Sequence, residues 1–465
     1  MNNMSKKQEI IGLIDADLLD NGTRHPNLVL LKLAGFFHDN GIPFELILDP
    51  QANTLHYTRI YLSCVFTFTK LPELYIRSKG TPEEKKFKCG GTGFYANEVS
   101  VMEYRRKREQ DMNQLEHDEF LNTLRNFHGG KEYGISMSRQ MPYYHLYDQF
   151  INQQVKKGFK REKFKDYQKY SIGFLTRVRH CPFCVNKLEN CILPYSKLQW
   201  FLDDEKDKNG KLVRPYIYLW DDNFLASDPS IWRPLLKQLI ETKRPFQFRQ
   251  GLDERMLAES PYGEEMAEML SRSRYHGDFI FAFDNWKDHE IIEKSLKIWK
   301  RYNPKKGTKF YLFCGFKQSP TKVDIFYKDI WELFQRIKIL MQYGCVGYVM
   351  RHEDYHNAPV SNFYVQIARW CNQQQFYKKM SFWQFCYRNQ SYWEEKTLKI
   401  TTRPKLKTFD EFEQDIRDGY YDRVKMCLSL KSLIKVLEMF PNHRAELIDM
   451  FNYSMSELVD ENLWK

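Results

Sequence analysis

The segment GFLTRVRHCPFCVNKLENC (173–191) carries three thiols, at Cys181, Cys184 and Cys191. The C-x2-C pair lets one tight turn bring two thiolates to a single metal. Structural zinc asks for four such ligands, usually two pairs or a pair with histidine. The chain has no second C-x2-C, so a zinc ribbon is poorly served, although His180 with the three cysteines makes a local Cys3His set. Three thiolates on an iron–sulfur cluster would instead leave one iron open to a further ligand. A disulfide is not expected in a reducing compartment, and three inert buried thiols are the plain alternative.

The elements that must present this loop can be read on either side of it. SIGFLT (171–176) reads as a strand with the cysteines on its carboxyl-end loop. PYIYLW (215–220), FQFRQ (246–250), FIFAF (279–283), KFYLFCGF (309–316) and VGYVMR (346–351) follow as further strands. Helical patterns separate them at 232–243, 263–274, 288–302 and 330–344. Strands alternating with helices predict a parallel β/α barrel, full or partial, over 171–360, whose chemistry sits at the carboxyl ends of the strands. Those ends carry Asp221, Asp222 and Asn223, then Gln250 and Asp253, then Asp284 and Asn285, then Arg351 and His352. Each of these is also an ordinary helix-capping or ion-pairing residue.

Residues 8–100 predict a separate doubly wound, Rossmann-like domain. IIGLIDADLL (10–19), PFELIL (43–48) and RIYLSCVF (59–66) read as strands around a helix at 28–41. Asp15, Asp17 and Ser63 fall where such a sheet binds ligands, and Gly90-Gly91-Thr92-Gly93 is a glycine turn. Residues 101–170 form a basic linker or helical segment, with YRRKR (104–108) and KKGFKREKFKDYQKY (156–170). Cations interleaved with rings can track phosphates and stack on bases, or be a solvated face. Residues 361–465 predict a helical C-terminal region whose Trp and Phe stripes are core.

Composition bounds the rest. At 465 residues the chain needs two or more domains, and 42% hydrophobic with 16% aromatic residues supply a large core. No apolar run reaches the ~20 residues of a membrane span, and the N-terminus lacks the apolar region of a secretory signal. Ten scattered cysteines fit a reducing cytoplasm. The net charge of +11 favours anionic partners in a general way.

Residues 8–390 resemble radical S-adenosylmethionine (SAM) proteins that carry an N-terminal cobalamin-binding-like domain. The resemblance lies in GFLTR followed by CPFCV, then YLWDDNFL (218–225), FRQGLDERML (248–257), FIFAFDN (279–285) and FYLFCGF (310–316), in that order. It implies a [4Fe–4S] cluster with SAM on its open iron, and 5′-deoxyadenosyl radical chemistry on an unknown substrate, RNA or peptide among the macromolecular options. Cys181 and Cys184 match the second and third ligands of the family's C-x3-C-x2-C loop. The first ligand's position holds Arg177. Cys191 then completes the set, or Cys89, Cys314 or Cys345 does, or the cluster is lost and the protein is a binding scaffold. Cys314 and Cys345 fall in strand patterns, where a small buried residue is ordinary. The resemblance further assigns Asp221, Asp222 and Asn223 to the SAM amino group and Arg255 to its carboxylate. It adds Gln250 and Asp253 at the third strand end, and Asp284 and Asn285 toward the ribose. The D-x-H-x-x-G loop of base-off cobalamin binding is missing, so cobalamin is not expected, and no catalytic residue is singled out.

Overall fold

A computed structural model describes residues 10–23, 25–66, 68–94, 135–178, 192–402 and 404–465. It is a mixed α/β protein with parallel sheets, about half helical, in two units, Met1–Gln250 and Gly251–Lys465.

The first unit opens with β1 (Ile11–Asp15), β2 (Phe44–Leu46), β3 (Arg59–Ser63) and β4 (Phe87–Gly90), all parallel in the order β2-β1-β3-β4. Period-two alternation splits their side chains between two cores. Ile11, Leu13 and Tyr61 pack with the helix Leu28–Asp39, and Ile14, Ile60 and Leu62 pack with the helix Glu73–Ser78 on the other face. β1 is shorter than its apolar run predicts. Asp15 caps a helix, Ala16–Asn21, by accepting from the Leu18 amide at 3.1 Å, and local capping overrides the strand-like pattern.

A second sheet of this unit is β5 (Tyr170–Gly173), β8 (Tyr216–Leu219) and β9 (Phe246–Phe248), parallel in that order. Between β5 and β8 lies an antiparallel hairpin, β6 (Thr176–Val178) with β7 (Ile192–Pro194). Register puts Tyr170, Ile172, Tyr216, Tyr218 and Gln247 on one face of the sheet, and Ile217, Leu219, Phe246 and Phe248 on the other. The first face joins Leu28 and Trp220 in a small aromatic cluster.

The second unit is built on β10 (Phe279–Ala282), β11 (Thr308–Cys314) and β12 (Val346–Arg351), again all parallel. β11 alternates strictly, with Phe310, Leu312 and Cys314 buried and Lys309, Tyr311 and Phe313 half-buried. The helices Gly263–Arg272, His289–Tyr302 and Val323–Gln342 lie where their periodicity predicts, within a turn or two. The C-terminal region is helical. Its rings are core, as expected, with Phe363, Trp370 and Phe382 fully buried against Phe334 and Phe451. No helix among the described residues is long and apolar enough to cross a membrane.

Candidate functional site

Asp221, one residue beyond Trp220 at the end of β8, is fully buried. One carboxyl oxygen accepts from the Thr176 amide at 2.7 Å and the Thr176 hydroxyl at 2.8 Å, and both oxygens lie 3.1–3.2 Å from the Leu175 amide. Thr176 begins β6, and the Tyr195 amide returns to the Leu175 carbonyl at 2.8 Å. The carboxyl of Asp221 therefore ties down the base of a hairpin at the carboxyl end of β5. Burial pushes its ionisation up to about 7, against the opposing pull of the Thr176 and Leu175 donors.

That hairpin brackets the thiols. Val178 pairs with Ile192, and Arg177 pairs with Leu193. Cys181, Cys184 and Cys191 lie between the paired ends, outside the described residues. Cys191 directly precedes β7, and Arg177, where the family's first ligand is expected, is in β6. Of the other cysteines weighed for the third ligand, Cys314 ends β11, Cys89 lies in β4, and Cys345 directly precedes β12. Cys314 and Cys345 are wholly buried, and burial raises both thiols, Cys345 to about 12. Cys89 sits partly buried in β4 against the core.

The remaining expected site residues divide between the units. In the first, Asp222 and Asn223 are half-buried beyond Asp221, and Gln250 is exposed. In the second, Arg255 grips Asp253 side-on, Nε to Oδ1 at 2.9 Å and Nη2 to Oδ2 at 2.8 Å, with Asp288 3.7 Å from Nη1. Asp284 is close enough to feel the charges of both Asp253 and Arg255. Burial raises its carboxyl to about 6, with Arg336 opposing. Arg336 donates to the carbonyls of Phe283, Asp284 and Phe313, fixing the ends of β10 and β11. Asn285 is exposed. Arg351 lies over the Tyr355 ring at 4.5 Å, and His352 accepts from the Asp354 amide.

The polar edge of the first sheet is spent on internal bonds. Asp15 accepts from Tyr147 Oη at 2.7 Å, and burial pushes its ionisation up to about 7. Asp17 accepts from the Val65 and Phe66 amides at 2.7 and 3.2 Å and from Thr69 Oγ1 at 2.5 Å. Ser63 Oγ accepts from Asn27 Nδ2 at 2.7 Å. The glycine turn is a packing device. A Cβ on Gly91 would stand 2.2 Å from the Cys64 carbonyl oxygen, and one on Gly93 2.7 Å from the Cys64 sulfur. The basic stretch 156–170 also reads differently in place. Phe164, Tyr167 and Tyr170 are buried, so these rings are core and only Phe159 is open for stacking. Residues 104–108 lie outside the described residues.

Sequence reading passed over one group on the face of β5-β8-β9 opposite to Asp221. His25 Nδ1 is 3.1 Å from Asp166 Oδ2, and Arg249 Nη2 donates to His25 Nε2 at 3.1 Å. Arg249 Nη1 donates to Gln247 Oε1 at 3.0 Å, with its guanidinium 4.7 Å from the Tyr218 ring centre. Strand parity was the available signal, since it puts Arg249, not Gln250, on the face of Gln247 and Tyr218. No protein family matches this chain, and no curated protein matches it significantly.

Proposed function

We propose that this is a radical-SAM-type protein in which Cys181, Cys184 and Cys191 hold an iron–sulfur cluster, with SAM as cosubstrate. On this reading the six parallel strands β5 and β8–β12 belong to a radical SAM β/α fold, and the leading four-stranded sheet is a cobalamin-binding-like, Rossmann-type domain without cobalamin. The observation that carries the reading is the hairpin. The three-thiol segment leaves and rejoins the chain between paired residues Val178 and Ile192, and a buried carboxylate at the next strand end anchors its base. The donor set suits the group, because three thiolates are the chemistry an iron–sulfur cluster requires. Pairing at the base also keeps Cys191 on the same closed loop as Cys181 and Cys184. Cys314 and Cys345, by contrast, are fully buried, at the end of β11 and just before β12.

A cluster with bound SAM supplies one-electron reductive cleavage of SAM. The chain's own residues would do the holding. Asp221 positions the hairpin, with Asp222 and Asn223 following it beyond β8 and Gln250 two residues beyond β9. On the resemblance Asp222 and Asn223 would accept from the SAM ammonium, Arg255 would pair with its carboxylate, and Asp284 and Asn285 would meet the ribose, with Gln250 and Asp253 at the third strand end. Arg255 meets a SAM carboxylate only by sharing or exchanging its grip on Asp253. The substrate is anionic or macromolecular on this reading, in keeping with the net charge of +11.

The test is an iron and acid-labile sulfide count on anaerobically reconstituted protein beside Cys181→Ala and Cys191→Ala. About four irons per chain, lost in both variants, is the expected result. Iron that survives Cys191→Ala moves the third ligand elsewhere, and no iron in any preparation overturns the enzyme reading in favour of a cluster-free scaffold.

A further inference from the structure

The group around Arg249 has no part in that reading. Its guanidinium is half-buried, and its two hydrogen bonds go to neutral acceptors, Gln247 Oε1 and His25 Nε2. Because a guanidinium cannot accept, the imidazole must present a lone pair at Nε2, which leaves its proton on Nδ1, toward Asp166. Among the described residues no carboxylate comes within ion-pair distance of Arg249. Asp166 stands one step away, behind the imidazole. Charges withdrawn from water are normally paired, so a half-buried guanidinium that is oriented but not paired is an anion site in waiting.

A second observation points the same way. The buried Asp166 Oδ1 has no hydrogen-bond partner, and His25 Nδ1, though 3.1 Å from Oδ2, lies off the line of a hydrogen bond. Buried polar atoms are satisfied in the great majority of cases; of the two open here, the His25 Nδ1–H is a donor that suits an anion, whereas Asp166 Oδ1 is an acceptor that only a protonated phosphate oxygen or a hydroxyl satisfies. The cluster is also open, with the His25 and Asp166 side chains 27% and 17% exposed. Its floor is aromatic. Tyr218 lies under the guanidinium and stacks on Tyr170 at 3.6 Å, and the Trp220 ring stands edge-on to His25 at 5.6 Å.

We infer that Arg249, oriented by Gln247 and by the His25–Asp166 pair, binds a phosphate group, free or carried on a nucleotide. Of the five N–H donors of a guanidinium, two are spent here and three remain. A phosphate offers three terminal oxygens to such a fork, where a carboxylate offers two. Half-buried Trp220 beside the cluster is the ring a nucleobase would meet.

The test is titration calorimetry on the full chain with inorganic phosphate, adenosine monophosphate and acetate in turn. Phosphate should bind, and Arg249→Gln should weaken it by roughly 10- to 100-fold, the range for one charge-assisted contact. Arg249→Lys keeps the charge without the fork, so it guards against a fold defect and should still bind about tenfold less tightly. Tighter binding of the nucleotide than of inorganic phosphate places the base on the aromatic floor, and equal binding identifies free phosphate as sufficient. Acetate binding as well as phosphate overturns the assignment. So does an absence of phosphate binding, or binding that Arg249→Gln leaves intact.

Discussion

Replacing Asp221 by alanine should separate an anchoring carboxylate from a ligand-binding one. Asp221→Ala strips partners from two backbone amides, Leu175 and Thr176, and from the Thr176 hydroxyl, in a fully buried setting. The hydroxyl can turn to another acceptor, but the two amides cannot. At about 1–3 kcal/mol for each orphaned buried donor, the loss is about 2–6 kcal/mol, a large share of ordinary domain stability. The cost should depend on pH in a defined direction. Because burial lifts the folded ionisation from 3.8 to about 7, the folded state holds a proton that the unfolded chain releases. The stability from Asp221 is therefore full below about 4 and is lost as pH climbs toward 7. Between pH 5.5 and 7 the gap between wild type and variant should narrow by about 2 kcal/mol, from 1.36 kcal/mol per unit. Urea unfolding across that range measures the gap, and hydrogen exchange at the Leu175 and Thr176 amides locates it. A variant as stable as wild type, with exchange at those amides unchanged and only SAM binding lost, would refute the anchoring role.

Other perturbations follow from the same bookkeeping of buried groups. Glu254 is fully buried with neither carboxyl oxygen hydrogen-bonded, and burial raises its ionisation well above 4.5 despite the nearby charge of Lys300. Its folded ionisation lies above that of the unfolded chain, so wild type should lose stability as pH rises above about 4.5, while Glu254→Gln should not, and thermal unfolding between pH 5 and 8.5 compares them. Asp17→Ala frees the part-buried Val65 and Phe66 amides, which water can reach, and should cost about 1–3 kcal/mol, with faster proteolysis at the exposed Phe66 and Phe68. Cys345→Ala and Cys314→Ala should leave the iron content at the wild-type value, because both thiols are fully buried. Loss of iron in either would move the third ligand to that cysteine.

Much of the scaffold was legible because long amphipathic segments announce their period. All six strands expected between 171 and 351 are present and parallel within their sheets, and the intervening helices fall where the apolar spacing put them. What failed did so for identifiable reasons. Ala16–Asn21 is helix, not strand, because an aspartate at the end of an apolar run can cap. The rings of 156–170 were read as accessible from their basic neighbours, yet Phe164 and Tyr167 sit three apart and turn together into the core. Asp221 reads like Asp222 and Asn223 in the sequence, as one of three strand-end residues, and its anchoring bonds are what the sequence does not show. Parity puts it on the covered face of Ile217 and Leu219, and its partners lie 45 and 46 residues away, a pairing that no local pattern encodes. The same parity count puts Arg249, not Gln250, on the face of Gln247 and Tyr218. His25 and Asp166 meet through tertiary packing alone.

The most direct test of the central proposal is reductive SAM cleavage. Anaerobically reconstituted protein, incubated with SAM and dithionite, should form 5′-deoxyadenosine and methionine in equal amounts, and Cys184→Ala should form neither. Reconstituted protein that takes up iron yet leaves SAM intact under those conditions would contradict the account.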